Sequence, residues 1–493
     1  MIQNDKTKNM AFIYLALLFL SAIFVTVFSS PTSPLLAGRS NYIDSSIFMV
    51  IGKNWAQGNL PYVVTWDHKG PMIFLANALG YLLTGDHIGI YLIQILSLFI
   101  TSIFTFKSFR LFQPTGISFA LTSLILLSVI INYESGNLTE EYILPLFSIF
   151  YYALLKHFYA TDRGHNKYLM VVAFMAGLIL AYSFLSRLTN AAGVCLASLV
   201  LFIFLIIEKQ YQTAFKAVGA FILGFAALTI PVLGYFYAND ALDEMWYATI
   251  TFNVLNTFAS GGRIIDSPFY LMYFFLKFIH CFLLLIPVIV LFRKKDYKQA
   301  WTWLALIIGP LLWILPGRLY SHYGMTVTHL SAIAIILLLN MKKEAPASRI
   351  GKAAKYIVFG YALYVLASFV PELPAQVKAM RSEPKNYGEV DAWFDQYSID
   401  KSSFLAYNYD WTIYIAKDIT PPIKYFFAQD PEMRVKELEK KVHDELAKAR
   451  VKWILVGSPI THKTIQEYVK DNYTLVATGN NCSLYHLNED ITN

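Results

Sequence analysis

Long apolar runs alternate with short polar segments from the N-terminus to about residue 371 of this 493-residue chain. A helix needs about 20 mainly apolar residues to cross a bilayer, and most of these runs approach that length. The pattern predicts about eleven transmembrane helices, at residues 11–28, 89–106, 115–132, 141–155, 168–185, 190–207, 217–237, 269–292, 300–316, 325–341 and 355–371. It therefore indicates an α-helical polytopic membrane protein.

The cations of the connecting segments predict the orientation of these helices. With the N-terminus in the cytoplasm, the inner segments hold most of the lysines and arginines. The outer segments before residue 372 hold only Arg39, Lys53, Lys69, Arg187, Arg263 and Arg318. Because cytoplasmic loops carry the excess of Lys and Arg, we expect a cytoplasmic N-terminus in the inner membrane. An odd number of spans then places residues 372–493 outside the cytoplasm.

The pattern changes after Pro371, where the long apolar runs stop. Short apolar runs and a segment with Glu and Lys at helical spacing replace them. They predict strands at 404–407, 453–456, 473–477 and 483–487 and a helix from Pro431 to Arg450. We therefore expect a transmembrane domain at residues 1–371 and a small extracytoplasmic α/β domain at residues 372–493.

The first outer loop, residues 29–88, is long and half apolar. Ser45–Trp55 has the pattern of an amphipathic helix, and Pro71–Leu83 is apolar but too short to cross the bilayer comfortably. We expect both segments to lie against membrane lipids along the outer interface, flanked by the aromatic rings of the loop. Such a surface gives the tail of a lipid substrate a place to lie.

Composition narrows the classes of function. Charged residues make up 15% of the chain and the mean hydropathy is +0.47, whereas a soluble domain is roughly 25% charged. The net charge of +7 comes mostly from the inner segments. No basic stripe alternates with exposed aromatics, so nucleic acid is not an expected partner. The three cysteines are scattered, which argues against a disulfide framework or a zinc site.

Ionisable residues at membrane depth or in short outer turns are costly and tend to be functional. Many of them share the outer face here: Asp44, Asp67, His68, Lys69, Glu140, Glu141, Arg187, Arg263, Arg318 and His322, with Tyr323 beside them. A lipid-phosphate sugar donor needs Lys or Arg for the phosphate that leaves as an anion. Its acceptor needs a carboxylate that takes or orients a proton. Arg318 and His322 are four residues apart, so a helical turn would let both grip one phosphate.

Each candidate also has a purely structural interpretation. Asp44 is a favoured residue for capping a helix that starts at Ser45. Glu140 and Glu141 suit the positive N-terminus of the fourth span. Asp67 and His68 fit a solvated loop, and Arg187 fits a span end from which its side chain reaches water. Lys277 and His280 fall inside the predicted eighth span, where both a structural and a donor-binding role stay open.

Five sequence elements carry a resemblance to a known family. They are Tyr42-Ile43-Asp44, Gly58 to Tyr62, Trp66 to Pro71, the Glu140-Glu141 turn, and Gly317-Arg318 with His322-Tyr323. By their order and their common side of the membrane they resemble the GT-C membrane glycosyltransferases, which include protein O-mannosyltransferases and the aminoarabinose transferases of lipid A. The resemblance covers spans one to ten, and the tail resembles the small outer domain that many members carry.

The resemblance implies inverting transfer of a sugar from a polyprenyl-phosphate donor to a glycan, lipid or protein acceptor. Asp44 would be the catalytic base or would orient the acceptor, and Lys69 would hold the donor phosphate. The mannosyltransferases often have a second acid in the first loop, where this chain has Ser45. Glu140 or Glu141 would take its place. The outer loops contain no Asp-x-Asp, so we favour a site without a divalent metal and expect no other cofactor.

Two other classes of membrane protein stay open. A transporter or lipid-sugar flippase would place ionisable residues at mid-bilayer and broken helices in two matching halves, but the sequence has no internal repeat. An O-antigen polymerase or ligase would use a large late outer loop. The longest outer loop here is the first, and the fourth, residues 238–268, is second.

Overall fold

The computed structural model describes residues 2–39, 43–133, 136–159, 165–260, 268–314, 320–344, 349–385, 387–427 and 436–488. Helices dominate this part of the chain, and four short strands lie near its C-terminal end. The helices are α1 (Ile2–Ser29), α2 (Ile43–Ala56), α3 (Pro71–Thr84), α4 (His87–Arg110), α5 (Thr115–Ile130), α6 (Thr139–Tyr142), α7 (Leu144–Tyr159), α8 (His165–Phe184), α9 (Ala192–Ile207), α10 (Tyr211–Ala238), α11 (Leu242–Trp246), α12 (Phe252–Ser260), α13 (Pro268–Lys277), α14 (Ile279–Arg293), α15 (Tyr297–Ile314), α16 (His329–Glu344), α17 (Arg349–Phe369), α18 (Glu372–Arg381), α19 (Glu389–Gln396), α20 (Thr412–Ala416), α21 (Lys436–Ala449) and α22 (Lys463–Asn472). The strands are β1 (Phe404–Tyr407), β2 (Trp453–Val456), β3 (Tyr473–Thr478) and β4 (Ser483–Leu487).

Several helices have the length and composition of membrane spans. Within the described residues six qualify: Ala11–Ser29, His87–Arg110, Asn166–Phe184, Leu188–Ile207, Tyr211–Ala238 and Arg349–Arg381. A seventh is added if the 3-10 helix Ser321–Val327 and α16, which are bent by 41°, form one span. The multi-pass helical membrane fold is thereby confirmed. The number eleven stays a prediction, because α5 and α14 are shorter apolar helices.

Two predicted spans have different boundaries in the structure. The eighth is broken at Phe278, between α13 and α14. The fourth is preceded by the one-turn helix α6, so Glu141 lies before α7 and not inside it. Pro145 explains this second break, because it has no N–H to donate to the carbonyl of Glu141 four residues earlier. The hydroxyl of Ser97 donates to that carbonyl instead, at 3.2 Å.

The chain forms two compact units, each assembled from separate segments. The first comprises residues 1–33, 91–232 and 263–378. It is helical throughout its described part, and α9 packs closely on α15 within it. A Cβ atom on Gly309 would lie 2.5 Å from the Cα of Gly193. Small residues permit this approach, as is common between helices in membranes.

The second unit comprises residues 34–90, 233–262 and 379–493. The predicted α/β tail is confirmed in it as a four-stranded sheet in the order β1-β2-β4-β3. Strands β1 and β2 are parallel, and β4 pairs antiparallel with both β2 and β3. The predicted helix Pro431–Arg450 is observed as α21, with residues 431–435 outside the described part. The division at residue 371 stays a prediction about topology.

The loop predicted to be the first outer loop lies in this second unit from residue 34 onward, and it forms the two predicted helices, α2 and α3. Met49 from α2, Tyr81 from α3 and Ile90 pack together in a small buried cluster. Ile415, from α20 of the tail, packs against the same cluster. Apolar burial of this kind stabilises by about 25 cal/mol per Å². The loop and the tail therefore share an apolar core.

Candidate active site

An ion pair joins two predicted site residues in the first unit. Glu140 lies in α6, and Arg187 lies in the turn between α8 and the 3-10 helix Leu188–Ala191. The guanidinium Nη1 of Arg187 donates to Oε1 of Glu140 at 2.6 Å. The side chain of Glu140 is 1% exposed and that of Arg187 24%. A carboxylate buried to this degree needs such a partner, because an uncompensated charge away from water is costly.

Tyr323 and His322 complete this group. The guanidinium carbon of Arg187 lies 3.5 Å from the centroid of the Tyr323 ring, a cation–π contact. His322 stands edge-on to the same ring, with centroids 4.7 Å apart. The structure thus brings together residues from three turns that are distant in sequence. We refer to Glu140, Arg187, His322 and Tyr323 as the outer-turn cluster.

The surroundings of Glu140 determine its charge. Burial raises the pKa of its carboxyl, because the charged form loses its hydration. The electrostatic effects of His322 and Arg187, with hydrogen bonds from Thr139 and Arg187, act in the opposite direction and outweigh burial. The pKa of Glu140 therefore lies below its ordinary value of 4.5. Its side chain is an anion at neutral pH.

Glu141 has partners different from those of its neighbour. Its carboxylate accepts hydrogen bonds from Gln94 of α4, from Tyr133 and from the backbone N–H of Asn137. Neither Gln94 nor Tyr133 is among the site residues predicted from the sequence. No local signal marks Gln94, a polar residue inside an apolar helix whose partner lies 47 positions away.

Gly324 sets the position of His322 and Tyr323. It lies in the 3-10 helix Ser321–Val327 and packs against the side chain of Asn132, which follows α5. A Cβ atom on Gly324 would lie 2.6 Å from the amide carbon of Asn132. Asn132 is itself buried and contacts His280 at 3.3 Å. The close approach of the Asn132 side chain therefore depends on the absence of a Cβ atom at Gly324.

We expect Gly324→Ala to destabilise the protein by about 1–3 kcal/mol, the usual range for overpacking a core. The displaced 3-10 helix should also lower activity, since it carries two members of the outer-turn cluster. Thermal unfolding in detergent measures the first effect. Gly360→Ala is the matched control, because a Cβ atom there meets nothing within 4 Å in α17. Equal stability of the two variants would contradict the close packing at Gly324.

Lys277 and His280 flank the break between α13 and α14, and both have bonded partners. The ammonium of Lys277 donates to the carbonyl of Ile131 at 2.7 Å. Nδ1 of His280 lies 2.5 Å from the hydroxyl of Ser331. These contacts favour the structural interpretation of both residues.

A second group of predicted residues lies in the second unit, at the turn before α3. Oδ1 of Asp67 accepts from the backbone N–H of Lys69 at 3.0 Å and lies 3.4 Å from Nδ1 of His68. The ammonium of Lys69 is 2.9 Å from Nε2 of His68. Asp67 is 3% exposed, which contradicts its interpretation as a solvated residue. We refer to these three residues as the first-loop turn.

Residues packed around the first-loop turn stabilise its conformation. Tyr62 adopts a positive φ of 68°, which is strained for a bulky residue, and its hydroxyl donates to the carbonyl of Lys69 at 2.7 Å. The ring of Trp66 is fully buried and stacks with that of Phe427 at 5.9 Å. The backbone N–H of Trp66 donates to the carbonyl of Lys424 at 2.9 Å. Residues of the tail thus hold the loop in place.

The fourth outer loop also contributes, which the sequence did not reveal. The side-chain amide of Asn253 donates to the carbonyl of His68 at 2.8 Å. Phe252 packs edge-on against Trp66, with ring centroids 4.9 Å apart. From the sequence, the first loop was the position expected for a glycosyltransferase site and a late outer loop the position expected for a polymerase or ligase site. In the structure the two loops pack together in one unit.

Asp44 lies in the first turn of α2, half-buried. The helix already begins at Ile43, so Asp44 is not the cap of a helix starting at Ser45. Within the described residues, no group donates a hydrogen bond to its carboxylate. Its structural interpretation as a cap therefore fails, and its catalytic role stays a prediction.

Arg263 and Arg318 lie outside the described residues, so the predicted pairing of Arg318 with His322 does too. Within the described part of the chain, no group of three or more His, Cys, Asp or Glu side chains has the arrangement of a metal site. The expectation of a site without metal or cofactor stays a prediction.

No family model and no curated protein matches the sequence. Solved structures do match the fold. ArnT from Cupriavidus metallidurans bound to undecaprenyl phosphate has a TM-score of 0.57 and 12% sequence identity, with 98% of this chain and 99% of that chain covered. The apo state of the same protein gives a TM-score of 0.55, again at 12% identity, with 97% and 98% covered.

The match with ArnT extends over nearly the whole of both chains, so it includes the membrane helices and the C-terminal α/β tail. At this identity the likeness establishes the fold and not the reaction. The fold expected from the five sequence elements is confirmed. This chain has the fold of the GT-C membrane glycosyltransferases.

Proposed function

We propose that the protein is an inverting glycosyltransferase of the cytoplasmic membrane that acts on its outer face. Its donor is a sugar linked to polyprenyl phosphate, and its acceptor is a glycan, lipid or protein. The observation that carries the proposal is the end-to-end match to ArnT, which was solved with undecaprenyl phosphate bound. An outward-facing site also suits a lipid-linked donor, because nucleotide sugars are absent outside the cytoplasm.

The proposed reaction is a single displacement. A nucleophilic atom of the acceptor attacks the anomeric carbon of the sugar as the bond to the phosphate oxygen breaks. The bond electrons leave with polyprenyl phosphate, and the acceptor proton passes to a carboxylate. The chemistry therefore needs one ionised acid and one cation for the leaving group.

Two residues of the second unit suit these roles by their own surroundings. The carboxylate of Asp44 is half-buried and accepts no hydrogen bond from a described residue, so it is available as the base or to orient the acceptor. Lys69 is held on a fastened turn beside Asp67 and His68, which suits a donor to phosphate. The first unit has candidates of its own, because Glu140 is an ionised acid and is paired there with the cation of Arg187.

The test offers purified protein in lipid a panel of labelled polyprenyl-phosphate sugars. We expect turnover of one donor, measured as loss of the lipid-linked sugar and release of polyprenyl phosphate. Lys69→Ala should weaken donor binding roughly tenfold to hundredfold, the effect of losing charge-assisted hydrogen bonds. Exposed Lys401 lies in the same unit, and Lys401→Ala serves as the matched control.

Other outcomes discriminate among the classes. No turnover with any donor, together with lipid or sugar movement across proteoliposome membranes, would overturn the proposal in favour of a transporter or flippase. Extension of a lipid-linked glycan chain by repeated units would instead identify a polymerase. Equal donor affinity in the Lys69→Ala and Lys401→Ala variants would remove Lys69 from the phosphate site.

A further inference from the structure

The carboxylate of Glu141 is surrounded by hydrogen-bond donors. Gln94 Nε2 donates to Oε2 at 2.8 Å, and the backbone N–H of Asn137 donates to the same oxygen at 2.9 Å. The hydroxyl of Tyr133 donates to Oε1. Glu141 and Gln94 are both 0% exposed, and Tyr133 is 1% exposed. The carboxylate thus ties together the two ends of the turn between α5 and α6.

The network continues beyond Glu141 through Gln94. The amide oxygen of Gln94 accepts from the hydroxyl of Ser30 at 2.8 Å and also from the hydroxyl of Thr32. Ser30 and Thr32 follow the end of α1, whereas Gln94 lies in α4. One amide therefore links the end of α1 to the turn that carries Glu140, because it donates on one side and accepts on the other.

We propose that Glu141 is a positioning residue, which with Gln94 holds α6 so that Glu140 faces Arg187. The inference rests on the proposed function, because it assigns separate roles to the two adjacent acids. Glu140 is ionised, paired with Arg187 and close to His322. Glu141 already accepts three hydrogen bonds inside the protein. Taking a proton would turn one acceptor oxygen of Glu141 into a donor, so at least one of these hydrogen bonds would be lost or reversed.

The break between α6 and α7 makes this anchoring necessary. Pro145 cannot bond the carbonyl of Glu141, so α6 is not held as the first turn of a longer helix. A one-turn helix has little stability of its own, because nucleation is costly. The side chain of Glu141 and the bond from Ser97 to its carbonyl supply contacts that a continuous helix would have made.

Exchanging the two partners tests the proposal. Glu141→Gln replaces an acceptor oxygen with an amide NH2 that faces other donors, so kcat should fall roughly 10- to 100-fold, as expected for a misplaced catalytic group. Gln94→Glu sets two carboxylates side by side and should also impair turnover. The double variant E141Q/Q94E keeps one carboxylate and one amide at the two positions. Its kcat should therefore be about tenfold higher than that of E141Q.

Two readouts separate positioning from catalysis. In the double variant, the acid limb of the pH profile of kcat/KM should lie at the same pH as in the wild type, because Glu141 does not take the proton of the acceptor. If Glu141 is the base, E141Q/Q94E will be as inactive as E141Q, and the proposal is overturned. A shift of the acid limb with the exchange would also overturn it.

A stability cycle makes the inference independent of activity. Thermal unfolding is measured for the wild type, both single variants and the double variant. We expect the two substitutions to be coupled, so that the double variant is more stable than the sum of the two single losses of stability predicts. Additive losses would contradict the proposed anchor. If the wild type turns over no donor, the proposed function fails, and this cycle alone decides whether Glu141 and Gln94 hold the turn.

Discussion

Replacing Asp44 with Asn is expected to lower kcat by about 10²- to 10⁴-fold, the usual contribution of general acid–base catalysis. Asn keeps the size of the side chain but cannot take a proton at neutral pH. The fold should be unaffected, because no described group donates a hydrogen bond to the Asp44 carboxylate. Donor binding should change little, since the phosphate is assigned to Lys69. The measurement is release of polyprenyl phosphate at saturating donor, with thermal unfolding recorded in parallel.

Asp395→Asn is the matched control for this variant. It is the same chemical change at an exposed carboxylate of α19, in the same unit as Asp44. Its kcat should equal that of the wild type. If Asp44→Asn retains full turnover, Asp44 is not the base, and Glu140 becomes the leading acid. A loss of folded protein in Asp44→Asn would instead indicate a structural role for its carboxylate.

Replacing Arg187 with Met should produce the largest loss of stability among the variants considered. The change leaves Glu140 buried and charged without its partner, and breaking a buried pair in this way costs about 3–5 kcal/mol. It also removes the cation from the ring of Tyr323. We expect a large drop in Tm and in turnover. Lys294→Met breaks the exposed ion pair with Glu344 and should cost no more than about 1 kcal/mol.

The double variant E140Q/R187M separates the structural effect from the chemical one. With both charges removed, most of the lost stability should return, because replacing a whole buried pair is often neutral. Activity should not return if the outer-turn cluster serves the reaction. Full activity in the folded double variant would show that the pair is structural only. Failure to regain stability would show that its effect on stability comes from packing of the long arginine side chain.

Stability should also depend on pH through Glu140. Because its folded pKa is depressed, the pair stabilises the fold at every pH above the ordinary value of 4.5. The stabilisation is lost as the pH falls below that value and through the folded pKa. The difference in unfolding free energy between the wild type and E140Q/R187M should therefore fall as the pH drops below 4.5. A difference that stays unchanged through this acid range would contradict the lowered pKa assigned to Glu140.

The sequence by itself determined the features that depend on residues close to one another along the chain. Apolar runs predict membrane helices because length and composition decide whether a segment can cross a bilayer. Equally local patterns predict the strands of the tail and the helices α2 and α3. They also show that ionisable residues cluster outside the inner loops. Proline also acts locally, and the break before α7 is a consequence of Pro145 that the sequence contains but the span prediction overlooked.

Only the tertiary structure decided which of these residues meet. Glu140, Arg187 and Tyr323 come from turns whose separation in sequence gives no measure of their distance in space. Gln94 was missed because a single polar residue in an apolar helix shows nothing of its partner, and Asn253 because its bond is to a distant backbone carbonyl. The distinction between Glu140 and Glu141 has the same origin. The two side chains are chemically identical and adjacent, and the distant partners that folding brings to each, Arg187 to Glu140 and Gln94 to Glu141, give them different roles.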